Sequence, residues 1–328
     1  MSTDTLSEVL RAVRLTGAVF FAVDASAPWV AETPQASELR PFLMPGVEHV
    51  IDYHVVTAGS CWGGLIGEAP VRLETGDVIA FPQGDAHVIS SSPGMRGPPA
   101  REAVLKVPTS RLPVRIEKDG GGAERAQLIC GFLGCDARPF NPLLATLPRV
   151  IHVPRRGSDG GGLASLIQLA LAESTAKRAG GEVVLARLSE LLFVEVVRRY
   201  VASLPAENVG WLAGLRDDSI GRALGRLHDR PAHGWSLEEL AREVGMSRSV
   251  LAERFSHFVG VPPMHYLAQW RMQLAASLLS STAMGLAEIA EKVGYGSETA
   301  LSRAYKRCVG VAPAEWRRNK QNGAVSEP

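Results

Sequence analysis

The sequence predicts a multidomain protein of mixed α and β structure: a β-barrel at the N-terminal end, a helical linker, and an all-α C-terminal domain with two helix-turn-helix units. Three observations lead there. A chain of 328 residues exceeds what one ordinary core organises, so at least two domains are expected. Short β-branched runs give way to helical spacing after a glycine-rich joint. A helical unit that starts at Ser236 returns, almost position for position, from Gly285. The segments are then 1–155, 156–210 and 211–328.

Composition narrows the class. With 46% hydrophobic and 21% charged residues the chain reads as a globular, water-soluble protein. It has no apolar run of the ~18 residues that suggest a membrane span. Met1 to Arg14 carries acids and has no basic start with an apolar core, so it does not read as a signal peptide. Four cysteines make no disulfide framework, and a reducing cytoplasm is the expected location. The net charge of +1 decides nothing about nucleic acid. From Trp211 onward there are 15 Lys/Arg and 12 Asp/Glu, so cations that meet a phosphate backbone must be focused on one face.

From Leu15 to Val153 the runs are short and β-like, such as His49-Val-Ile-Asp-Tyr-His-Val-Val and Asp77-Val-Ile-Ala-Phe. Glycine and proline punctuate them at Gly46, Gly59, Gly63-Gly64, Gly76, Pro82 and Gly84, as expected of a sandwich or small barrel. Pro154 to Gly162 reads as a flexible joint. Two helices follow. The first starts at Leu163 and stops at Gly180-Gly181. The second carries Val184, Leu185, Leu188, Leu191, Leu192 and Val196 at helical spacing and ends near Tyr200. Such a stripe is core or interface. Lying between two domains, the pair is expected to form a homodimer contact.

The repeat is read by superposition. Leu237, Leu240, Ala241, Val244 and Gly245 fall on Leu286, Ile289, Ala290, Val293 and Gly294. After one inserted residue, Leu251, Phe255, Gly260, Pro263 and Tyr266 fall on Leu301, Tyr305, Gly310, Pro313 and Trp316. In the first copy Ser236 and Glu239 make a capping box, Gly245 ends the helix, and Ser247 caps the next. That next helix is expected to bury Val250, Leu251 and Phe255, and the second copy to do the same with Ala300, Leu301 and Tyr305. Gly285 replaces the serine cap in the second copy.

Residues Ile220 to Arg318 resemble the DNA-binding domain of the AraC family, including Gly260-Val-Pro-Pro263, Gly310-Val-Ala-Pro313 and the linking helix from Tyr266 to Leu279. The resemblance implies a transcription regulator, commonly an activator acting with RNA polymerase, that sets two helices into successive major grooves of double-stranded promoter DNA. It puts base contacts on Ser249, Ala252 and Glu253, and on Glu298, Thr299 and Arg303. Arg248 and Ser302 lie beside them, with Lys306 and Arg307 behind. Arg248, Arg254, Lys306, Arg317 and Arg318 suit phosphate. Arg303 suits a bidentate contact to guanine; Ser249 and Ala252 are short, which leaves specificity to the second helix.

Gly76-x5-Pro82-Gln-Gly84-Asp-Ala-His87 resembles the second sequence element of the cupin barrel. In metal-binding cupins the histidine is a ligand, with a His-x-His pair and a carboxylate from the first element. Here Asp52 stands where the carboxylate would, and the His-x-His is missing. His54, His87, Cys130 and Cys135 are therefore carried as sensor or metal candidates, for zinc or another divalent cation, and Cys130/Cys135 also as a thiol pair sensing an oxidant. The expected role is regulatory, binding a small-molecule effector or reporting a redox signal rather than turning over a substrate. The alternative is a cupin-fold metal enzyme with an appended DNA-binding module.

Overall fold

The computed structural model describes residues 4–99, 114–155, 162–176, 178–205 and 207–325; most of the joint, residues 156–161, lies outside them. The described residues within 15–135 and 147–203 form a strand-rich unit, and those within 1–14, 136–146 and 204–328 form a helical unit. The mixed α and β class is as predicted. The division by packing differs from the order in sequence: the two linker helices pack with the strands, while residues 1–14 and 136–146 pack with the helices.

The strand-rich unit holds β1 (Thr16–Ser26), β2 (Val30–Thr33), β3 (His49–Leu65), β4 (Val71–Glu74), β5 (Val78–Phe81), β6 (His87–Ser90), β7 (Val114–Asp119), β8 (Arg125–Cys135) and β9 (Ile151–Val153) in one sheet. The sheet order is β2-β6-β3-β8-β1-β7, with β4 and β5 on β3 and β9 on β5. All these pairs are antiparallel except β1 with β7. The 17-residue β3 makes the barrel-like turn. Its first half pairs with β8 and β5; a register shift follows at Val56/Ala58, and its second half pairs with β4 and β6. Gly59 sits in this bend at φ +75°, where a Cβ would come within 2.0 Å of the Arg125 carbonyl oxygen, so only glycine fits.

One core joins Trp29, Val56, Cys61, Leu73, Ile79, Phe81 and Leu128; another joins Phe21, Val50 and Phe132 to the helix over Ala36–Leu43. The linker helices, Gly162–Ala176 and Gly181–Ser203, complete the unit. The second buries Leu185, Leu188, Leu192 and Val196, and the Tyr53 hydroxyl meets the Ser189 hydroxyl at 2.8 Å.

Numbered through the chain, the helices are α1 (Thr5–Ala12), α2 (Ala36–Leu43), α3 (Pro142–Thr146), α4 (Gly162–Ala176), α5 (Gly181–Ser203), α6 (Trp211–Arg216), α7 (Asp218–Asp229), α8 (Leu237–Glu243), α9 (Arg248–Val259), α10 (Pro263–Ser281), α11 (Leu286–Val293), α12 (Glu298–Val309) and α13 (Pro313–Val325). Helix α10 packs against α9 on one side of the repeat and against α11, α12 and α13 on the other. Its residues Met272, Ala275, Ala276 and Leu279 enter the second copy's core with Ile289, Ala290, Val293, Leu301, Tyr305 and Trp316. Near its start, the Trp211 indole donates to the Tyr266 hydroxyl at 2.7 Å, which faces His228 Nε2 at 2.8 Å. Since the Tyr266 proton is then the one available for His228, His228 is neutral and accepts through Nε2.

Candidate nucleic-acid interface and barrel interior

Each repeat copy is built by the same local chemistry. Ser236 Oγ accepts the Glu239 N–H at 3.1 Å, and the Glu239 carboxylate is drawn below its ordinary range by His233 and by the Ser236 N–H. That is the expected capping box. Helix α8 closes with Met246 N–H on the Ala241 carbonyl at 2.9 Å, and α11 with Tyr295 N–H on the Ala290 carbonyl at 2.8 Å. Both turns pass through a left-handed glycine, Gly245 at φ +73° and Gly294 at φ +85°. Ser247 and Ser297 then cap α9 and α12 through the N–H groups of Val250 and Ala300. Gly285 supplies no side-chain cap to α11, as its sequence implies.

Leu251 and Phe255 bury one face of α9, and Leu301 and Tyr305 the same face of α12. Ser249, Glu253, Glu298, Thr299, Arg303, Lys306 and Arg307 are exposed; Ala252 and Ser302 are half-buried. Val250 and Ala300 correct the expected core: Val250 is 44% exposed and Ala300 is also on the surface. The cause is angular, since consecutive helical residues stand about 100° apart and Leu251 already faces inward. The equivalence of Val250 to Ala300, a residue without a bulky apolar group, was the available signal.

The cations divide into two kinds. Arg248 is paired with Glu238 at 3.0 Å and Arg254 with Asp217, although all but Asp217 stay substantially exposed. Arg317 is corrected as a phosphate candidate: its Nε donates to the Leu279 carbonyl at 3.1 Å and its Nη2 to the Met284 carbonyl at 2.6 Å, which fastens α13 to the end of α10. Arg318 is exposed.

In the barrel, Asp52, His54 and His87 come together, but Cys135 does not join them. His54 and His87 face each other through their Nε2 atoms at 2.8 Å. His87 Nδ1 donates to the Asp85 carbonyl at 2.9 Å, so His87 Nε2 is an acceptor and His54 Nε2 carries the shared proton. His54 Nδ1 is then a bare acceptor, and neither it nor the Asp52 carboxyl has a hydrogen-bond partner among the described residues. Burial raises Asp52 well above the carboxylate range, lowers His54 well below the imidazole range, and holds His87 down to about 4. The two histidines are neutral near pH 7, and burial pushes Asp52 toward its neutral form.

Cys130 pairs in register with His54, and Cys135 with His49. An odd separation along one continuous strand sends the two thiols to opposite faces, so the expected Cys130/Cys135 pair is not formed. Burial raises the Cys130 thiol far above its ordinary range and pushes Cys61 up to about 12. The donor set does not fit a metal ion either. The two imidazole nitrogens that would bind it are in mutual contact, the Asp52 carboxyl is 3.8 Å from a His87 nitrogen already spent on a carbonyl, and no group of three His, Cys, Asp or Glu among the described residues is placed to hold one.

Two serine-capped helices with polar outer faces, each across a glycine turn from its supporting helix, define a helix-turn-helix protein that binds DNA. Residues 4–202 match the family model described as cupin, and residues 240–319 the one described as a helix-turn-helix domain. An AraC-like transcription regulator of Streptomyces lividans is 34% identical over 275 residues, which span 82% of this chain and 87% of that protein. The RCS-specific HTH-type transcriptional activator RclR of Escherichia coli K12 is 25% identical over 272 residues, spanning 82% and 84%. Among solved structures, the C-terminal domain of AraT, a response regulator from Geobacillus stearothermophilus, is 32% identical with a TM-score of 0.31, covering 31% of this chain and 86% of that one. The chain belongs to the AraC family of DNA-binding transcription regulators, with an N-terminal cupin domain. The relatives are transcription regulators, so the enzyme alternative gains no support.

Proposed function

We propose that this regulator is a cytoplasmic homodimer that reads promoter DNA with Ser249, Ala252 and Glu253 of α9 and with Glu298, Thr299, Ser302 and Arg303 of α12. Lys306, Arg307 and Arg318 hold phosphates, and the bound protein activates transcription through RNA polymerase. The observation that carries this reading is the pair of capped recognition helices whose non-core faces remain open to solvent. The dimer contact is assigned to α4 and α5, where Leu169, Val183, Val184 and Leu191 stay exposed although the opposite face of α5 is core. Selection from a random duplex library by the full chain at moderate salt tests the DNA reading: two preferred boxes about one helical turn apart are expected, and no preference overturns it. Leu191→Glu is expected to convert the dimer to a monomer in sedimentation; an unchanged mass removes the α5 contact.

The barrel is assigned to a small polar effector rather than to a metal or an oxidant. Asp52, pushed toward its neutral form by burial, then has a proton to donate, and His54 Nδ1 has a lone pair to accept one. A buried donor and acceptor left unsatisfied favour a ligand carrying the complementary groups, such as an amide or hydroxyl compound. A screen for compounds that raise the melting temperature of wild type but not of Asp52→Asn or His54→Phe tests it. Stabilisation of all three equally moves the effector elsewhere.

A further inference from the structure

The helical unit is assembled from three stretches of chain, and one fully buried side chain links them. Gln273 lies on the connecting helix α10 with none of its surface exposed. A buried primary amide must place an acceptor and two donors, and leaving them unpaired is costly. Gln273 finds its partners far away in sequence. Its Oε1 accepts the Phe140 N–H at 3.1 Å, and its Nε2 donates to the Ala12 carbonyl at 3.0 Å. Phe140 N–H can only donate and the Ala12 carbonyl can only accept, so the amide orientation is fixed by its neighbours. The Ala12 carbonyl belongs to the last turn of α1, one of those with no partner inside its own helix.

A second cluster seals the same junction. Arg14 donates through Nε and Nη2 to the Asp136 carboxylate at 2.7 and 2.8 Å. Lys320 of α13 reaches that carboxylate at 3.1 Å, and the Asp136 N–H meets the Val13 carbonyl at 2.8 Å. Asn141 Nδ2 holds the Asp136 carbonyl at 2.8 Å and its Oδ1 caps the turn at Leu144. Helix α1 also packs on α7 and α10, and the Phe140 ring stands edge-on to Tyr266 at 5.4 Å.

We infer that Gln273 and Asp136 are positioning residues for two-site DNA recognition: Gln273 latches residues 5–14 and 136–146 onto α10, the helix that joins both recognition units, and Asp136 ties the same two segments to each other and to α13. Helix α10 touches both α9 and α12, so its setting fixes the spacing of the two groove contacts. A small rotation of α10 displaces one recognition helix when the other is seated, and adjacent groove entries lie about 34 Å apart. Ties at the middle of α10 and at α13 hold that setting. They act only when both units must fit one duplex.

The test uses the full chain, the tightest duplex that wild type selects from a random library, and the same duplex with one box scrambled. Gln273→Ala and Asp136→Asn are each expected to weaken the two-box duplex about tenfold and to leave the scrambled duplex bound as by wild type, the range typical of coupling between sites. Helix content by circular dichroism is to be unchanged, and amide exchange is to quicken at Phe140 and along α1 in Gln273→Ala. Gln273→Glu keeps the acceptor for Phe140, and when protonated regains a donor for Ala12. Its two-box affinity is therefore expected to recover as the pH is lowered, while that of Gln273→Ala does not. Equal weakening on both duplexes shows a role in stability alone and overturns the inference, as does unchanged two-box affinity. Should Gln273→Ala fold poorly, the milder Asp136→Asn still decides between these outcomes.

Discussion

The turn glycines of the two units differ in what surrounds them, and that difference has a measurable size. Gly245 and Gly294 are equivalent by the repeat and both are left-handed. A Cβ added at Gly245 meets nothing within 4 Å. Gly245→Ala then costs only the left-handed backbone, about 1–2 kcal/mol, less the few tenths returned by a stiffer unfolded chain. At Gly294 the same Cβ would lie 2.7 Å from Ala232 Cα and 2.8 Å from the Ala232 carbonyl oxygen. That segment cannot easily retreat, because Arg271 holds the Pro231 and His233 carbonyls on either side at 2.7 and 2.8 Å. Overpacking adds roughly 1–3 kcal/mol, for a total of about 3 kcal/mol. With about 2–4 °C per kcal/mol for a unit of this size, the melting transition of the helical unit should fall by about 3 °C for Gly245→Ala and about 9 °C for Gly294→Ala. Calorimetry of the full chain, with that transition assigned by its loss in a Phe255→Ala variant, checks it. Equal shifts, or a larger one at Gly245, would refute the steric argument.

Other expectations follow from the same geometry. Arg303→Ala should lose about tenfold discrimination at one base pair, whereas Lys306→Ala should weaken all duplexes alike and lower the salt slope by about 0.9; footprints and salt titrations distinguish them. His228 is held neutral in the folded chain, down to about 3 by burial, while an unfolded imidazole titrates near 6.5. Above that range neither state binds the proton; below it the unfolded chain takes up a proton the folded chain refuses, so stability falls with pH until about 3, at up to about 1.4 kcal/mol per unit. His228→Gln should flatten the acid limb of denaturant melts of the helical unit, and an unchanged limb would show that other groups govern it. Alkylation of the native chain should label Cys308 quickly and leave Cys61, Cys130 and Cys135 until denaturant is added; a fast thiol in the barrel by mass spectrometry would revive the redox reading.

The repeat was legible because each of its structural demands has its own residue: serine caps at 236, 247 and 297, and left-handed glycines at 245 and 294. Val250 was misplaced because three apolar side chains at 250, 251 and 255 suggest one face, and only two of them share it. The cysteine pair failed for a related reason. A gap of four residues between Cys130 and Cys135 is wide enough for a turn, yet all four, with Gly131 and Gly134 among them, lie inside β8. Those two are glycines because Tyr53 packs over one and Met44 and Val47 over the other, where a Cβ would meet them at 2.4 to 2.7 Å. The placement of residues 1–14 and 136–146 left no trace in the pattern. The ties that Gln273 makes to these residues are to backbone groups, which every residue owns, across sequence separations of 133 and 261.

The two recognition units also differ in the charge they can offer a phosphate, and this yields a last expectation. On α9, Arg248 and Arg254 are neutralised by Glu238 and Asp217, and Glu253 adds an exposed acid. On α12, Glu298 is likewise an exposed acid, but three cations, Arg303, Lys306 and Arg307, are exposed with no ion pair among the described residues. Exposed pairs are worth only about 0–1 kcal/mol, so the arginines of α9 are free to turn toward DNA. Their former partners stay within a Debye length of the phosphates, however, and offset much of the charge the arginines bring. Released counterions, and hence the salt slope at about 0.9 per phosphate, should come mainly from the second unit. Scrambling the box that the Arg303 variant fails to discriminate should therefore cut the slope by about two, and scrambling the other box by less than one. Equal reductions would mean that the ion pairs on α9 dissolve completely on the duplex, and the assignment of affinity to α12 would have to be given up.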